Sequence, residues 1–287
     1  MRNIAIVVDT NSGIKQGEFE DVYVVPMPFM IDGEEYFEDI NLTQEEFHKK
    51  LEEDAQISTS QPSIFQVVEL WEELLKKYKQ IIHIPMSSAL SQTCETAKNA
   101  AREYEGKVFV VDNKRISITL KQSVCDALKL IDQGKNGEEI RDYLEKTSLD
   151  SSIYIMVSTL KYLKKGGRIT PAAAAIGTLL KIKPVLQIQG GKLDSFAKVM
   201  NEKVGRAKMI EAIKKDIETR FKEYEEKGEL QFAVAYTNCK DKAEDFARQI
   251  REAIPNIEFT YVEPLSLSIS CHIGSGALAV GVSRMVR

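Results

Sequence analysis

The chain has 287 residues, of which 43% are hydrophobic, and a formal net charge of −4. A chain of this length and composition can bury a sizeable core, and we expect two medium domains. Acidic and basic residues are mixed, which does not favour nucleic acid or an anionic membrane surface as a partner. No segment has the apolar length of a membrane span, and the apolar N-terminal stretch is too short for a signal-peptide core.

The four cysteines are widely separated and form no C-x-x-C pair, a pattern that fits neither a zinc cluster nor a disulfide-rich secreted domain. We interpret them as reduced thiols, and we expect a cytoplasmic protein. The sequence also lacks G-x-x-x-x-G-K-[ST], G-x-G-x-x-G and H-E-x-x-H, so it predicts neither a nucleotide cofactor nor a metal site.

The first half alternates short β-branched runs with longer helical patterns. This alternation is typical of a parallel sheet covered by helices. A stretch between residues 22 and 40 has prolines and an Asp32-Gly33 turn signal, and it predicts a small β excursion. Thr43 with Glu46 predicts a capping box ahead of the next helix. The predicted buried strands are IAIVVD, QIIHIPM and KVFVVDN, and the predicted helices are SIFQVVELWEELLKKY, SQTCETAKNAAREY and TLKQSVCDALKLI.

The second half begins with a strand, IYIMVS, and a short helix that we expect Gly166 to end. PAAAAIGTLL then predicts a helix with Thr170 as its cap and Pro171 in its first turn. A Gly-Gly pair at 190–191 between strand-like flanks predicts a hairpin. One long helix is predicted over residues 201–227. The remaining predicted elements are LQFAVAYTN, DKAEDFARQIREAI, IEFTYVEP and GALAVGV.

These patterns predict an α/β protein of two domains. Residues 1–157 would form an N-terminal α/β domain, Rossmann-like, with a parallel sheet flanked by helices and the small β excursion. Residues 158–287 would form a C-terminal α+β domain with a mixed sheet.

Three polar stretches stand where a predicted strand ends or a predicted helix begins, the usual place for a ligand site in an open α/β sheet. They are VVDTNSG (7–13), ISTSQPS (57–63) and PMSSALSQT (85–93). Their hydroxyls and free backbone N–H groups suit a small anion, although helix capping would use the same groups. Ser91 follows Ser87 by four residues, so both would share one helix face. SALSQ is not the G-x-S-x-G elbow of a serine hydrolase.

Asp9 directly follows the first predicted strand, which is typical of an aspartyl phosphotransferase. Asn11 occupies the position where that chemistry expects a second aspartate. The alternative is structural: Asp9, Thr10 and Ser12 would fix the loop through bonds from side chain to backbone.

His272 stands among small residues that permit close backbone approach, and its ring could donate to a carboxylate or phosphate. We interpret His48 and His83 as structural. Arg168 leaves a Gly-Gly turn and would either bridge to an anion or a protein partner, or lie solvated on the surface. Together these groups are better suited to holding an anion than to transforming one.

Five stretches in this order make the chain resemble the DegV family over essentially its full length. They are VVDT, TSQPS, SSALSQT, LKYLKKGGRI followed by LLKIKPVL, and HIGSGALAVG. The resemblance implies a two-domain, DegV-like fold with a long-chain fatty acid in a buried tunnel between the domains. It implies Thr59, Ser91 and His272 as the ligands of the fatty-acid carboxylate, and Arg168 as a residue that docks a partner. Further pocket candidates are Ser60, Ser88, Gly274, Ile176, Leu179, Leu180 and Ile182.

The resemblance also implies a function. Characterised family members are the non-catalytic, fatty-acid-binding subunit of bacterial fatty acid kinase. They present the carboxylate to a separate ATP-binding kinase subunit, and the acyl phosphate formed feeds phospholipid synthesis. The resemblance thus implies a bound fatty acid as ligand, no cofactor and no metal.

This chain departs from the family pattern at Gln92 and Asn113, at Ser275, and near Met200, where the family often carries an arginine implicated in kinase docking. Two other functions stay open. One is a hydrolase or phosphotransferase that uses Asp9 with Ser91 or His272. The other is a lipid-binding sensor without a kinase partner.

Overall fold

The structure is a computed structural model that describes residues 2–53, 55–175 and 182–287. Strands β1 to β13 span Ile4–Asp9, Val22–Val25, Phe29–Ile31, Glu34–Tyr36, Ile57–Thr59, Gln80–Ile84, Val108–Val110, Ser151–Met156, Lys183–Ile188, Asp194–Val199, Leu230–Tyr236, Glu258–Pro264 and Leu278–Arg284. Helices α1 to α11 span Gln44–Glu52, Ile64–Leu75, Thr93–Ala101, Ser117–Asp132, Gly137–Lys146, Lys161–Gly166, Pro171–Ala174, Glu202–Thr219, Lys222–Glu226, Lys240–Ala253 and Leu267–Ile273. Short 3-10 turns cover Thr10–Ser12 and Arg102–Tyr104.

The first half of the chain builds a parallel sheet of order β2-β1-β6-β7. The strands predicted as buried and parallel are confirmed as β1, β6 and β7. Alternate side chains of β1 explain why helices cover both faces, since Ala5 and Val7 pack with α2 and α3, whereas Ile6 and Val8 pack with α4 and α5. The carboxyl ends of β1 and β6 therefore meet at one edge, where a ligand site is expected.

The predicted β excursion over residues 22–40 is wrong for its first strand. β2 joins the parallel sheet instead, with Val22 opposite Ile6, because its apolar side chains bury against the sheet. Only β3 and β4 leave the sheet, and they form a separate antiparallel sheet with β5, in the order β4-β3-β5. The predicted turn between β3 and β4 is confirmed, with positive φ at both Asp32 and Gly33.

The second half builds a mixed sheet of order β10-β9-β8-β13-β11-β12, in which only β11 and β12 are parallel neighbours. The predicted mixed sheet and the hairpin at 190–191 are confirmed. β8 is an interior strand of this second sheet, so the chain has already left the first sheet before residue 157. The domain boundary predicted between residues 157 and 158 stays a prediction. One sheet face packs on α8 and α10. The other packs with Leu90, Ile116 and Ile118 of the first half, so both halves share a core.

The long helix predicted over residues 201–227 is instead two helices, α8 and α9. The break buries Phe221, which is only 1% exposed and joins the core beside α8. Its backbone N–H still bonds to the carbonyl of Asp216 at 3.0 Å. Arg220 turns the other way, and its guanidinium donates to Ser152 Oγ and to the carbonyl of Leu149. The burial of one aromatic side chain therefore overrides helix propensity at this point.

The capping box predicted at Thr43 and Glu46 is confirmed. Thr43 Oγ1 accepts from the Glu46 N–H at 3.3 Å, and Glu46 Oε2 accepts from the Thr43 N–H at 2.9 Å. We expect Thr43→Ala to lower the free energy of unfolding by about 1 kcal/mol because a backbone donor loses its acceptor. Urea denaturation would measure the loss. Thr43→Ser keeps the oxygen and should retain most of the stability; equal losses for both variants would contradict this account.

The cap predicted at Thr170 is also confirmed, since its Oγ1 accepts from the Ala173 N–H at 3.2 Å. The helix that follows is observed over Pro171–Ala174, and the rest of its predicted span lies outside the described residues. Within the described ranges, no helix has both the length and the apolar character needed to cross a membrane. All four cysteines are described, and each is a free thiol.

Candidate functional site

A cavity of about 300 Å³, here called the main cavity, opens where the loops after β1, β5 and β6 face α6 and α11. Both halves of the chain contribute to its wall. Its apolar lining is Met27, Met86, Leu90, Ile116, Leu163, Leu193, Ile269 and Ile273, and its polar lining is Asn11, Thr59, Ser60, Gln61, Ser91, Gln92, Arg168, Ser268 and His272. The arrangement offers a small polar region beside an apolar wall.

Thr59 and His272 form the centre of the polar region. Thr59 is the last residue of β5, and His272 lies in the last turn of α11. Thr59 Oγ1 and His272 Nε2 lie 2.9 Å apart, a hydrogen bond between residues 213 positions apart in the chain. Thr59 was a candidate for helix capping as well, but its hydroxyl bonds to the imidazole. Ser63, the N-cap of α2, makes no capping bond with its side chain.

The backbone of Gly166 lies against the other side of the His272 ring. A Cβ at Gly166 would overlap His272 Nδ1, so only glycine leaves room for the imidazole. The prediction that this helix ends at Gly166 is confirmed, and the next residue, Gly167, is its C-cap in the left-handed conformation, with φ of 68°. Gly166 also leaves room for the histidine ring.

Burial and, to a lesser extent, the nearby positive charge of Arg168 lower the pKa of His272 to about 4. At neutral pH the ring is therefore uncharged, with one nitrogen a donor and the other an acceptor. A neutral imidazole can donate one hydrogen bond to a ligand without being a permanent countercharge.

Helix α11 is present at Leu267–Ile273, for which the sequence pattern predicts no element. The first free N–H of this helix, at Leu267, donates to Glu38 Oε2 at 2.8 Å. Its N-cap, Ser266, donates instead to Asn11. A carboxylate from 229 positions away thus replaces the local cap that would have revealed the helix. Burial raises the pKa of Glu38 to about 7, and the Leu267 N–H lowers it in part.

Ser91 also lines the main cavity, and its role as a carboxylate ligand stays a prediction. Its Oγ lies 2.8 Å from Thr93 Oγ1 and accepts from the Thr93 N–H at 3.2 Å, at the start of α3. The hydroxyl is therefore both a local turn partner and a cavity group. Ser60, one of the further candidates, lines the cavity too.

The comparison with protein families matches residues 3–285 to a family described as an uncharacterised protein, DegV family. The chain belongs to the DegV family. A DegV domain-containing protein of Staphylococcus aureus strain N315 is 31% identical over 281 residues, covering 96% of this chain and 97% of that protein. The resemblance noted from the five motifs is therefore confirmed.

Solved DegV structures match the fold over the full chain. A DegV family protein from Thermus thermophilus, described by its fatty acid binding, has a TM-score of 0.89 and 28% identity, covering 99% of this chain and 100% of that chain. DegV from Bacillus subtilis, described as a fatty acid binding protein, has a TM-score of 0.85 and 28% identity, with the same coverage. The predicted DegV-like fold is confirmed.

Two other candidates for the DegV pocket lie elsewhere. Ser88 Oγ donates to Asp112 Oδ2 at 2.6 Å, and Ser88 is not part of the cavity lining. Gly274 has φ of 79°, and a Cβ there would come within 2.7 Å of the Tyr162 ring. This glycine makes room for a tyrosine of the protein and does not face the cavity. Ile176, Leu179 and Leu180 lie outside the described residues, whereas Ile182 is described and partly buried.

Arg168, the predicted docking residue of the DegV motif, lines the main cavity with His272. Its Nε donates to the carbonyl of Leu90 at 3.2 Å, and another guanidinium nitrogen donates to the carbonyl of Gly166. The side chain thus links the two halves of the protein and places a positive charge beside the polar region.

The positions at which this chain departs from the DegV pattern have varied surroundings. Gln92 lines the main cavity and is exposed. Ser275 Oγ lies 2.9 Å from His48 Nδ1, which gives His48 the structural role predicted for it. Asn113 is buried, and its Oδ1 accepts from the Arg115 N–H. Met200 is 67% exposed, so its apolar side chain projects into solvent.

Asp9 does not line the main cavity. Its Oδ1 accepts from the Asn11 N–H at 3.0 Å, and its Oδ2 accepts from the Met86 N–H at 2.8 Å. Ser12 Oγ donates to the carbonyl of Asp9, and Thr10 Oγ1 accepts from the Met27 N–H. Burial raises the pKa of Asp9 to about 6, although the N–H groups of Met86 and Asn11 act in the opposite direction. The structural alternative for this loop is therefore confirmed.

From the sequence, Asn11 was notable only because it occupies the position where a phosphotransferase would have a second aspartate. In the structure, Asn11 lines the main cavity. Its Oδ1 accepts from the hydroxyls of Ser266 and Ser268, and its Nδ2 lies 3.0 Å from Met86 Sδ. Because its partners lie more than 250 positions away at Ser266 and Ser268, only the tertiary structure reveals this contact.

Among the described residues, Cys94, Glu95 and Asp112 lie close enough to hold a metal ion. Burial raises the pKa of Cys94 to about 12, so in the metal-free protein its thiol is protonated at neutral pH. Asp112 also accepts from Ser88 Oγ. We assign this trio no functional role.

Proposed function

We propose that this chain binds a long-chain fatty acid in the main cavity and that it is a binding protein without catalytic activity of its own. The observation that carries the proposal is the hydrogen-bonded Thr59–His272 pair, which lines the same cavity as Ser91 and as a set of apolar side chains. Relatives of known structure described as fatty acid binding, from Thermus thermophilus and Bacillus subtilis, support it.

The carboxylate would replace the internal hydrogen bond of the pair. Thr59 Oγ1, Ser91 Oγ and His272 Nε2 would each donate to a carboxylate oxygen, and the charge of Arg168 would favour the anion. Taking a carboxylate out of water costs several kcal/mol unless such bonds replace its hydration. Three donors and one nearby cation meet that requirement.

The acyl tail would follow the apolar wall toward the core shared by the two halves. Leu90, Ile116, Leu163, Leu193 and Ile273 belong to both the cavity lining and that core. Burial of a methylene contributes about 0.8 kcal/mol, so a chain of a dozen carbons outweighs the cost of burying the head group. The predicted tail contacts at Ile176, Leu179 and Leu180 remain part of this proposal.

We further propose that the protein presents the bound carboxylate to a separate ATP-binding fatty acid kinase subunit, for acyl-phosphate formation and phospholipid synthesis, within the cytoplasm. Among the described residues, the cavity wall holds hydroxyls, side-chain amides, one neutral histidine and one arginine, and no carboxylate base. Such a site binds an acid but has no group suited to activating a phosphoryl donor. Arg168 is our candidate for contact with that subunit.

The first test is to extract the purified protein with organic solvent and identify released lipid by mass spectrometry, with an unrelated protein from the same cells as the control. We expect about one fatty acid per chain. If none is released and added hexadecanoic acid does not bind by calorimetry, the proposal fails. For the kinase step, acyl phosphate should form only when an ATP-binding fatty acid kinase subunit is added; formation by this chain alone would contradict a non-catalytic role.

A further inference from the structure

Helix α11, which carries His272, is held at its first turn by two side chains from the other half of the protein. Glu38 Oε2 accepts from the Leu267 N–H at 2.8 Å. Glu38 Oε1 accepts from Gln44 Nε2 at 2.7 Å, and the same Nε2 donates to the carbonyl of Leu265 at 3.1 Å. These two side chains, here called the clamp, therefore fix the backbone where α11 begins.

The two faces of α11 have different surroundings. Leu267 and Cys271 pack in a core with the small antiparallel sheet and α1. Ile269 and His272 line the main cavity, whereas Glu38 does not. Glu38 would therefore act on a ligand in that cavity either through the position of α11 or through the field of its own charge.

The position of α11 depends on tertiary contacts. The helix has only 7 residues, and isolated helices of this length are unstable in water. Its last turn is bonded to the small sheet through His272 Nε2 and Thr59 Oγ1. The ligand carboxylate of the proposed function would replace that bond. The clamp at the first turn would then be the remaining polar support that keeps Nε2 directed at the ligand, together with the bonds from Asn11 to Ser266 and Ser268.

We propose that Glu38 is a positioning residue of the carboxylate site: in its ionised form it fixes α11, and with it the donor nitrogen of His272. The inference rests on the proposed function. A carboxylate forms a stronger hydrogen bond with a backbone N–H than a neutral acceptor does, and it interacts favourably with the N-terminal end of a helix. Protonation of Glu38 would weaken both interactions, so the affinity for a fatty acid would depend on pH.

The protonation state of Glu38 changes near neutral pH. Burial raises its pKa to about 7, although the bonds from Leu267 and Gln44 act in the opposite direction. Glu38 is only partly buried and lines an outer groove, so a proton can reach it from solvent. The titratable and charged groups around it are Lys15, Glu18, Asp39, Glu263 and Cys271. Of these, Asp39 raises the pKa and Lys15 lowers it.

The first test measures hexadecanoic acid binding by calorimetry for the wild type and Glu38→Gln at about pH 6 and about pH 8, on either side of that pKa. Glutamine resembles the protonated carboxyl group. We expect the variant to bind about fivefold more weakly at the higher pH, since about 1 kcal/mol is the usual loss for a helix cap. At the lower pH the two affinities should agree within about twofold.

Two controls isolate Glu38 in this comparison. Ionisation of the ligand and of Asp9, whose pKa is about 6, affects both proteins alike and cancels in the ratio of affinities. Glu35→Gln makes the same chemical change at an exposed carboxylate of β4, outside both the clamp and the main cavity. This variant should bind as the wild type does at both pH values.

A second readout needs no ligand and no substitution. In protein with isotope-labelled histidine, the His272 ring signals in nuclear magnetic resonance should shift with a midpoint near pH 7 as Glu38 titrates. The ring itself stays neutral in this range because its pKa is about 4. The shift should be absent from Glu38→Gln. A clamp that only stabilised the fold would not couple the titration of Glu38 to His272.

Equal or tighter binding by Glu38→Gln at the higher pH would overturn the proposal, since tighter binding is what the loss of a repelling charge alone would produce. His272 signals that ignore the titration would also overturn it. If Glu35→Gln weakens binding as much, the effect is one of overall charge and the proposal is rejected. If hexadecanoic acid binds neither protein but the His272 signals follow Glu38, the proposed function fails while the coupling of Glu38 to His272 stands.

Discussion

His272→Ala is expected to weaken fatty-acid binding by about tenfold to a hundredfold. The imidazole Nε2 lies 2.9 Å from Thr59 Oγ1, and we assign it one hydrogen bond to the ligand carboxylate. Hydrogen bonds to a charged group contribute about 1.5–3 kcal/mol, which converts to this range of affinity. Calorimetry with hexadecanoic acid measures the loss, and urea denaturation checks that the variant is folded.

Two further variants make the histidine result specific. His272→Gln places an amide nitrogen near the position of Nε2 and should recover part of the affinity. His48→Asn keeps a polar atom near the position of Nδ1, which bonds to Ser275 outside the cavity, and should bind fatty acid normally. An unchanged affinity in His272→Ala would remove this residue from the carboxylate site.

Gly166→Ala is expected to weaken fatty-acid binding by at least tenfold, although residue 166 would not need to touch the ligand. The added methyl group overlaps His272 Nδ1, so the ring must move away from Thr59. Alanine is about 1 kcal/mol better than glycine within a helix, and residue 166 ends α6. A general loss of helix stability is therefore not the cause that we expect for the weaker binding.

The control for this substitution is Gly191→Ala, in the turn between β9 and β10. A Cβ there has nothing within 4 Å, so neither affinity nor stability should change appreciably. The decisive comparison is Gly166→Ala with the double variant that also carries His272→Ala. If the methyl group acts by displacing the ring, the two losses will not add. Additive losses would show that Gly166 acts by another route.

Local sequence signals predicted most of the fold. The buried strands, the capping box at Thr43 and the turn at Asp32 and Gly33 depend on nearby residues, and all three are confirmed. The errors arise where distant contacts decide. β2 joins the sheet because of its partners in β1, and the helix after residue 201 breaks because the core accepts Phe221. α11 was missed because Glu38 caps it from another part of the chain.

The candidate site was predictable in its residue types but not in its geometry. Hydroxyls at strand ends and a histidine among glycines indicated an anion site. That Thr59 and His272 belong to one site was implied only by the family resemblance, since 213 positions separate them. Glycine has several uses that a sequence pattern does not distinguish. Gly166 leaves room for the His272 ring, whereas the sequence predicted only that it ends a helix. Gly274 leaves room for Tyr162, whereas it was predicted to belong to the ligand pocket.

The shared wall of the main cavity has a consequence for the motions of the protein. Leu90 and Ile116 come from the first half, whereas Leu163 and Ile273 come from the second, and all four face the same space. An acyl chain there would extend the core that the two halves share, and its binding free energy would be added to the stability of both halves. Amide hydrogens in the parallel sheet and in the mixed sheet should then exchange more slowly together when the cavity is filled, even in strands that the ligand does not touch.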